Sequence, residues 1–189
     1  MTLRHPFEWL SAPGQKRALV LFLAIALAVM AGLFVLGEPL TTAAAPQGIV
    51  SFELAGELPL ARKILESWGH RGRVYAGLNL GLDYLFLVVY AASIGLGCVL
   101  VSRSLPPRLG LLSSAGILLS WMQWGAALLD AVENYALIQI LLGSGQECWP
   151  TVARWCAIPK FVIVGAGLVY VALGVIVAIA ARAREKRAP

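Results

Sequence analysis

Four long apolar segments dominate this sequence, and we place them at residues 18–36, 74–101, 109–142 and 159–181. Each is about as long as the roughly 20 residues that a helix needs to cross the hydrocarbon core of a bilayer. Hydrophobic residues make up 59% of the chain and charged residues 13%, where soluble domains are nearer one half and one quarter. We therefore predict an all-α protein, a four-helix transmembrane bundle, with residues 1–189 as a single integral membrane domain.

The first apolar segment has a competing interpretation as a secretory signal peptide, because three alanines, Ala43, Ala44 and Ala45, follow it. The apolar run is longer than the usual signal-peptide core, and Pro46 would follow the expected cleavage point. We therefore expect a retained helix.

The longest polar connection is the predicted outer loop, residues 38–73, and its second half has helical periodicity. Pro59 lies near the start of this periodic stretch and Gly69 follows its end. The apolar positions at helical spacing are Leu58, Ala61, Leu65 and Trp68. We predict a short extracytoplasmic amphipathic helix that lies on the membrane or caps the bundle. It would act as a lid over a site or rest its apolar face on lipid headgroups.

The basic residues predict the orientation, because lysine and arginine are enriched in short cytoplasmic segments. One side of the predicted topology holds nine of them in short segments: Arg4, Lys16, Arg17, Arg103, Arg108, Arg182, Arg184, Lys186 and Arg187. The other side holds six in two longer loops: Arg62, Lys63, Arg71, Arg73, Arg154 and Lys160. We therefore predict a multi-pass protein of the cell (inner) membrane with both termini in the cytoplasm. The net charge of +5 is explained by these loops, so no nucleic-acid partner is expected.

Polar side chains interrupt two of the apolar segments. Residues 121–135 read WMQWGAALLDAVENY, and the second segment also carries polar groups. Ionisable groups at such depth are costly and rare, and they usually have a role. The predicted buried polar cluster, a ligand or proton site, consists of Asn79, Asp83, Tyr84, Tyr90, Gln123, Asp130, Glu133 and Asn134.

Simple helix geometry brings the acidic members of this cluster to one depth. Asp83 and Glu133 lie nine residues from the outer ends of their predicted spans, and Asp130 lies twelve from its own. At about 1.5 Å per residue, these depths are about 14, 14 and 18 Å. We expect the three carboxyls to meet in one layer.

The charge state of this layer follows from the cost of burying ions. A charged side chain at the centre of a span costs roughly 2.5–3.5 kcal/mol on insertion scales. The nearest cations, Arg71, Arg73, Arg154 and Lys160, are expected near the outer surface. We therefore expect at least one carboxyl to be protonated or to share a proton with a neighbour.

The cluster has three interpretations. It is a polar clamp between helices, or a functional site that relays protons or cations or recognises a polar headgroup, or a metal site. Carboxylate metal sites in helical bundles pair Glu with His, and the two histidines, His5 and His70, fall on opposite sides of the membrane. We predict no metal, no cofactor and no catalytic residue, because the GxSxG, HExxH and Walker patterns are also absent from the sequence.

Cys148 and Cys156 are predicted in the second outer loop, where disulfides persist, so they form a candidate disulfide. Free thiols are the other structural interpretation. A redox pair is the catalytic alternative, but such enzymes usually use a CxxC pattern, which the sequence lacks.

Two stretches together resemble a family of small bacterial four-span integral membrane proteins with no assigned function. They read SFELAGELPLARKILESWG leading into NLGLDYLFLVVYA, and LLDAVENYALIQILLG, and the resemblance covers about residues 49–143. The resemblance implies the four-span topology and the pairing of Asp83 with Asp130, Glu133 and Asn134. It implies no reaction.

For the function, we expect a non-enzymatic membrane protein that binds a lipid or small amphiphile, or that acts as an accessory subunit of a membrane complex. Its partners would be membrane lipids, and also a membrane protein or further copies of the chain. The alternative is a proton- or cation-coupled transporter or membrane enzyme that uses Asp83, Asp130 and Glu133.

Overall fold

The computed structural model describes residues 4–106 and 109–185, and within these residues it contains helices and no strand. Four of the helices are long and apolar enough to cross a membrane, which confirms an all-α protein with four candidate spans. Three cations used for the orientation, Arg108, Lys186 and Arg187, lie outside the described residues. The elements in chain order are α1 (Ala12–Gly37), a 3-10 turn (Glu38–Leu40), α2 (Ile49–Glu53), α3 (Leu58–Ser104), α4 (Gly110–Leu141) and α5 (Cys148–Glu185).

Helix α5 begins at Cys148 and not at the predicted residue 159. Pro159 lies inside the helix. Proline lacks a backbone N–H, but the helix continues through it. Most of the expected loop at 143–158 is therefore helical.

Helix α3 is the centre of the bundle. It packs against α1, α4 and α5, and α4 packs in turn on α5, whereas α1 packs chiefly on α3. Helices α1 and α5 therefore flank α3 with a cleft between them.

Helix α3 consists of two helices joined at Gly69, whose φ of 59° and ψ of −167° are not helical. The first of them, at 58–68, is the predicted amphipathic helix, and Leu58, Ala61, Leu65 and Trp68 are all buried. They belong to one apolar cluster with side chains of the second helix of α3 and of α4, so the apolar face packs on protein. That this helix is extracytoplasmic stays a prediction.

Residues 38–68, from the end of α1 to the joint in α3, form a compact structure that we call the cap. The Trp68 indole donates a hydrogen bond of 2.7 Å to the carbonyl of Leu40. The rings of Phe52 and Trp68 meet edge to face, with centroids 5.2 Å apart. These contacts fix α2 between the turn at Leu40 and the 58–68 helix.

The N-terminal segment closes the opposite end of the bundle. Phe7 is buried in an apolar cluster with side chains of α3. The Arg103 guanidinium donates to Gln15 Oε1 at 2.8 Å and lies 2.7 Å from His5 Nε2. Burial, together with the positive charge of Arg103, lowers the pKa of His5 below its ordinary value.

Replacement of Gly69 tests the joint in α3. Only glycine adopts its backbone conformation without strain, so Gly69→Ala should lower the free energy of unfolding by about 1–3 kcal/mol. Gly81→Ala is the matched control, because Gly81 lies within the helix and a Cβ at either position meets nothing within 4 Å. The control should raise stability by about 0.5–1 kcal/mol. Denaturant titration of both variants in one detergent checks this, and equal stabilities would contradict it.

Candidate functional site

Lys160 is the centre of the polar layer, contrary to the sequence-based expectation that it lies near the outer surface. Its ammonium Nζ lies 2.9 Å from Asp130 Oδ1 and 2.8 Å from Glu133 Oε2, and the residue is 6% exposed. The expectation was wrong because α5 begins at Cys148, which puts Lys160 about 18 Å along the helix at 1.5 Å per residue. Lys160 thus supplies a cation that the sequence analysis did not expect in this layer, but one ammonium offsets only one carboxylate, so a protonated carboxyl stays a prediction.

Glu53, which the sequence analysis missed, completes this group from the cap. Its Oε2 lies 3.9 Å from Lys160 Nζ, and its carboxyl neighbours that of Glu133. Burial raises the pKa of Glu53 above its ordinary value, and the Lys160 charge opposes that rise. The available signal was a single charged residue inside the apolar run IVSFELAG. We call Glu53, Asp130, Glu133 and Lys160 the carboxylate–lysine cluster.

Asp83 lies beside this cluster and connects α3 to α4. Its Oδ2 accepts a hydrogen bond of 2.6 Å from the Asn134 amide, and Asn134 is buried while Asp83 is half-buried. Of the predicted residues, the structure therefore brings Asp83, Asp130, Glu133 and Asn134 together in one layer.

Three other predicted residues bind their own partners elsewhere between the helices. Asn79 donates a hydrogen bond of 3.0 Å to the Leu33 carbonyl and joins α3 to α1. Gln123 donates one of 3.1 Å to the Ile163 carbonyl and joins α4 to α5. The exposed Tyr84 hydroxyl donates one of 3.1 Å to a backbone carbonyl of α4. Each is a polar clamp between two helices, and the structure does not bring them into the cluster.

Tyr90, the last predicted residue, is 7% exposed, and its hydroxyl has no hydrogen-bond partner among the described residues. Its ring packs against Phe86 with centroids 5.4 Å apart. Tyr90 lines the cleft between α1 and α5 together with Asp83, Asp130 and Lys160. Tyr90 therefore shares one cavity with these acidic residues.

The cleft has a volume of about 420 Å³ and joins a polar floor to apolar walls. Three wall residues, Leu27, Met30 and Leu168, are 53%, 48% and 54% exposed, so the mouth opens sideways on the apolar surface of the bundle. The floor consists of Glu53, Asp83, Tyr90, Asp130 and Lys160. The walls are formed by Leu23, Ala26, Leu27 and Met30 of α1, Val50 of α2, Phe86, Ser93 and Ile94 of α3, and Phe161, Val164 and Leu168 of α5.

Apolar layers lie on both sides of the cluster along the bundle axis. Toward the cap, Leu80 and Leu137 belong to the apolar core that includes Phe52. Toward the N-terminal segment, Leu87 and Ala127 belong to a second apolar cluster. The cluster is therefore enclosed along the axis and accessible from the side, through the cleft.

The candidate disulfide between Cys148 and Cys156 is absent, and both thiols are free in the part of the chain that the structure describes. Both residues lie on α5, eight positions and therefore about 12 Å apart. A disulfide needs Cα atoms roughly 4.4–6.8 Å apart, so one helix cannot provide this bond.

Comparison of the chain with protein-family models, with curated proteins and with solved structures gives no match. The resemblance to small four-span bacterial membrane proteins therefore stays a prediction.

Removal of the Lys160 charge tests the cluster. Lys160→Met leaves the Asp130 and Glu133 carboxyls buried without their cation, and losing one partner of a buried ion pair typically costs about 3–5 kcal/mol. The exposed Lys63 gives the control variant Lys63→Met, which removes the same charge outside the bundle. We expect a large loss of unfolding free energy for the first variant and less than about 0.5 kcal/mol for the second.

The triple variant Lys160→Met, Asp130→Asn, Glu133→Gln should recover part of that stability, since it also removes the unpaired charges. Denaturant titration in one detergent compares the set. A Lys160→Met protein as stable as the parent would show that the ion pairs do not hold the helices together.

Proposed function

We propose that this protein is a non-enzymatic membrane protein that binds a small amphiphile from the surrounding bilayer in the cleft between α1 and α5. The apolar part of the ligand would lie along the walls, and its polar end would reach the carboxylate–lysine cluster. The observation that carries the proposal is a single cavity with apolar walls, a charged floor and a mouth on the apolar surface.

The size and chemistry of the cleft support this proposal. Small-molecule sites usually measure about 300–1,000 Å³ and combine mostly apolar walls with a few polar groups. The cleft, with a volume of about 420 Å³, has both properties. Its apolar walls favour alkyl chains, because each buried methylene contributes about 0.8 kcal/mol.

The proposed setting is the inner membrane, with both termini in the cytoplasm, as the bias of lysine and arginine favours. The cap would then be extracytoplasmic, and the cluster would lie in the outer half of the membrane. The same surfaces would suit an accessory subunit of a membrane complex, whose partner would cover the cleft from the lipid side.

A substitution that fills the cleft tests the proposal. Ala26 lines the cleft, whereas Ala28 is exposed on another face of the same helix. Ala26→Phe should abolish binding of the lipid or amphiphile that the parent protein retains after mild extraction. Ala28→Phe should bind the same lipid or amphiphile as the parent protein. Native mass spectrometry of the three proteins measures the bound mass. A parent protein that carries no adduct in several mild detergents would contradict the proposal.

A second candidate function is a proton- or cation-coupled transporter or membrane enzyme that uses Asp83, Asp130 and Glu133. The observation that favours it is that several carboxyls surround one ammonium group, so a proton can leave or enter while Lys160 keeps a partner. The apolar layers on both sides of the cluster argue against an aqueous path along the axis.

Proton flux separates the two functions. In vesicles with an imposed potential and a pH-sensitive dye, we expect the parent protein to acidify the interior no faster than empty vesicles. Flux above that background that disappears in Asp83→Asn and Asp130→Asn would favour the transporter. Asparagine keeps the shape and hydrogen-bonding capacity of each side chain, so such a loss would report the ionisable group.

A further inference from the structure

We propose that the polar end of the amphiphile is a cation, and that the site selects an alkylammonium group over neutral or anionic headgroups. This inference rests on the proposed binding function and names the chemical class of its ligand. The structural basis is the surplus of carboxyls over ammonium groups around the floor of the cleft.

The carboxyl groups around the cleft outnumber the ammonium groups. Glu53, Asp130 and Glu133 all have an oxygen within 4.0 Å of the Lys160 ammonium, which is a single positive charge. Asp83 adds a fourth carboxyl, which accepts its hydrogen bond from the neutral Asn134 amide. A ligand cation would reduce this surplus, and an anion would add to it.

Most of these carboxyl residues line the cavity. Glu53, Asp83 and Asp130 line the cleft, while Glu133 is fully buried behind them. The Lys160 ammonium also lines the cleft, but it already contacts three carboxyls. An incoming ammonium group therefore meets the acidic groups of α2 and α3 beside an ion that is already paired.

Two buried polar atoms of residues at the floor make no hydrogen bond in the part of the chain that the structure describes. Oε2 of Glu53 and the hydroxyl of Tyr90 make no hydrogen bond within the described residues, although the two residues are only 9% and 7% exposed. Polar atoms buried without a partner are uncommon and need an explanation. An ammonium group has three donors, so it can satisfy a carboxylate oxygen and a hydroxyl oxygen together.

An aromatic pair in the lining of the cleft fits the same ligand. Phe86 and Tyr90 both line the cleft, and a cation within about 6 Å of an aromatic ring is attracted by its π face. The apolar walls then accept the alkyl chain, and the sideways mouth lets the ligand enter from the bilayer.

Three single-chain probes of equal length test the selectivity: dodecylamine, dodecanol and dodecanoate. The full-length protein is placed in phosphatidylcholine nanodiscs and titrated with each probe, and native mass spectrometry measures the bound fraction. We expect dodecylamine to bind about tenfold or more tightly than dodecanol, because a hydrogen bond to a charged group is stronger than a neutral one. Dodecanoate should bind most weakly.

Matched variants test whether the residues at the floor of the cleft cause the selectivity. Asp83→Asn and Glu53→Gln each remove one negative charge from the floor and should reduce the preference for the amine over the alcohol. Glu57→Gln removes the same charge from an exposed residue and should leave the preference unchanged. Two variants of the floor are used so that a folding defect in one leaves the other as a test.

The outcomes separate the two proposals. If the amine and the alcohol bind equally, the cleft binds amphiphiles and the cationic selectivity is overturned. If none of the three probes binds, the binding function itself is overturned. If the amine is preferred equally by the parent protein and both floor variants, the selectivity arises outside the cleft, and the assignment to this cluster is wrong.

Discussion

The buried ammonium group of Lys160 is the interaction on which the arrangement of the helices depends. An isolated charge at this depth would cost several kcal/mol, and its cost is offset only if partners are close and well placed. Asp130 and Glu133 supply these partners from α4, with contacts of 2.9 and 2.8 Å. One lysine therefore holds α5 against α4 at a fixed height, and Asn134 extends the same layer to Asp83 on α3.

The cap contributes a third carboxyl partner of Lys160 and an apolar cover to this layer. Its helix α2 brings Glu53 within 3.9 Å of the lysine, and its apolar side chains cover the cluster on one side. Because α1 packs chiefly on α3, no apolar side chains like those of the cap cover the cluster on the side between α1 and α5 in the described part of the chain. The same packing thus encloses the charges along the axis and leaves them reachable from the bilayer.

Hydropathy and helical periodicity were enough to predict the four long helices and the amphipathic helix at 58–68. Spacing along the helices also brought Asp83, Asp130, Glu133 and Asn134 to one depth. Lys160 was misplaced because the last span was predicted to begin at residue 159, whereas α5 begins at Cys148 and continues through Pro159. Glu53 was missed because its position depends on how the cap folds back onto the bundle, which is a tertiary contact that no local pattern in the chain encodes.

The hydrogen bonds distinguish a structural role from a binding role for these polar groups. Asn79 has an amide donor bonded to a carbonyl of the neighbouring helix α1, as expected of a group that only holds helices together. A clamp gains nothing from polar atoms that are buried and unsatisfied, since each costs about 1–3 kcal/mol. Oε2 of Glu53 and the hydroxyl of Tyr90 make no hydrogen bond within the described residues, and both residues line the cleft. The ion pairs of Lys160 hold the helices together, and these two groups stay available to a ligand. This division accounts both for the ion pairs and for the two atoms without hydrogen bonds.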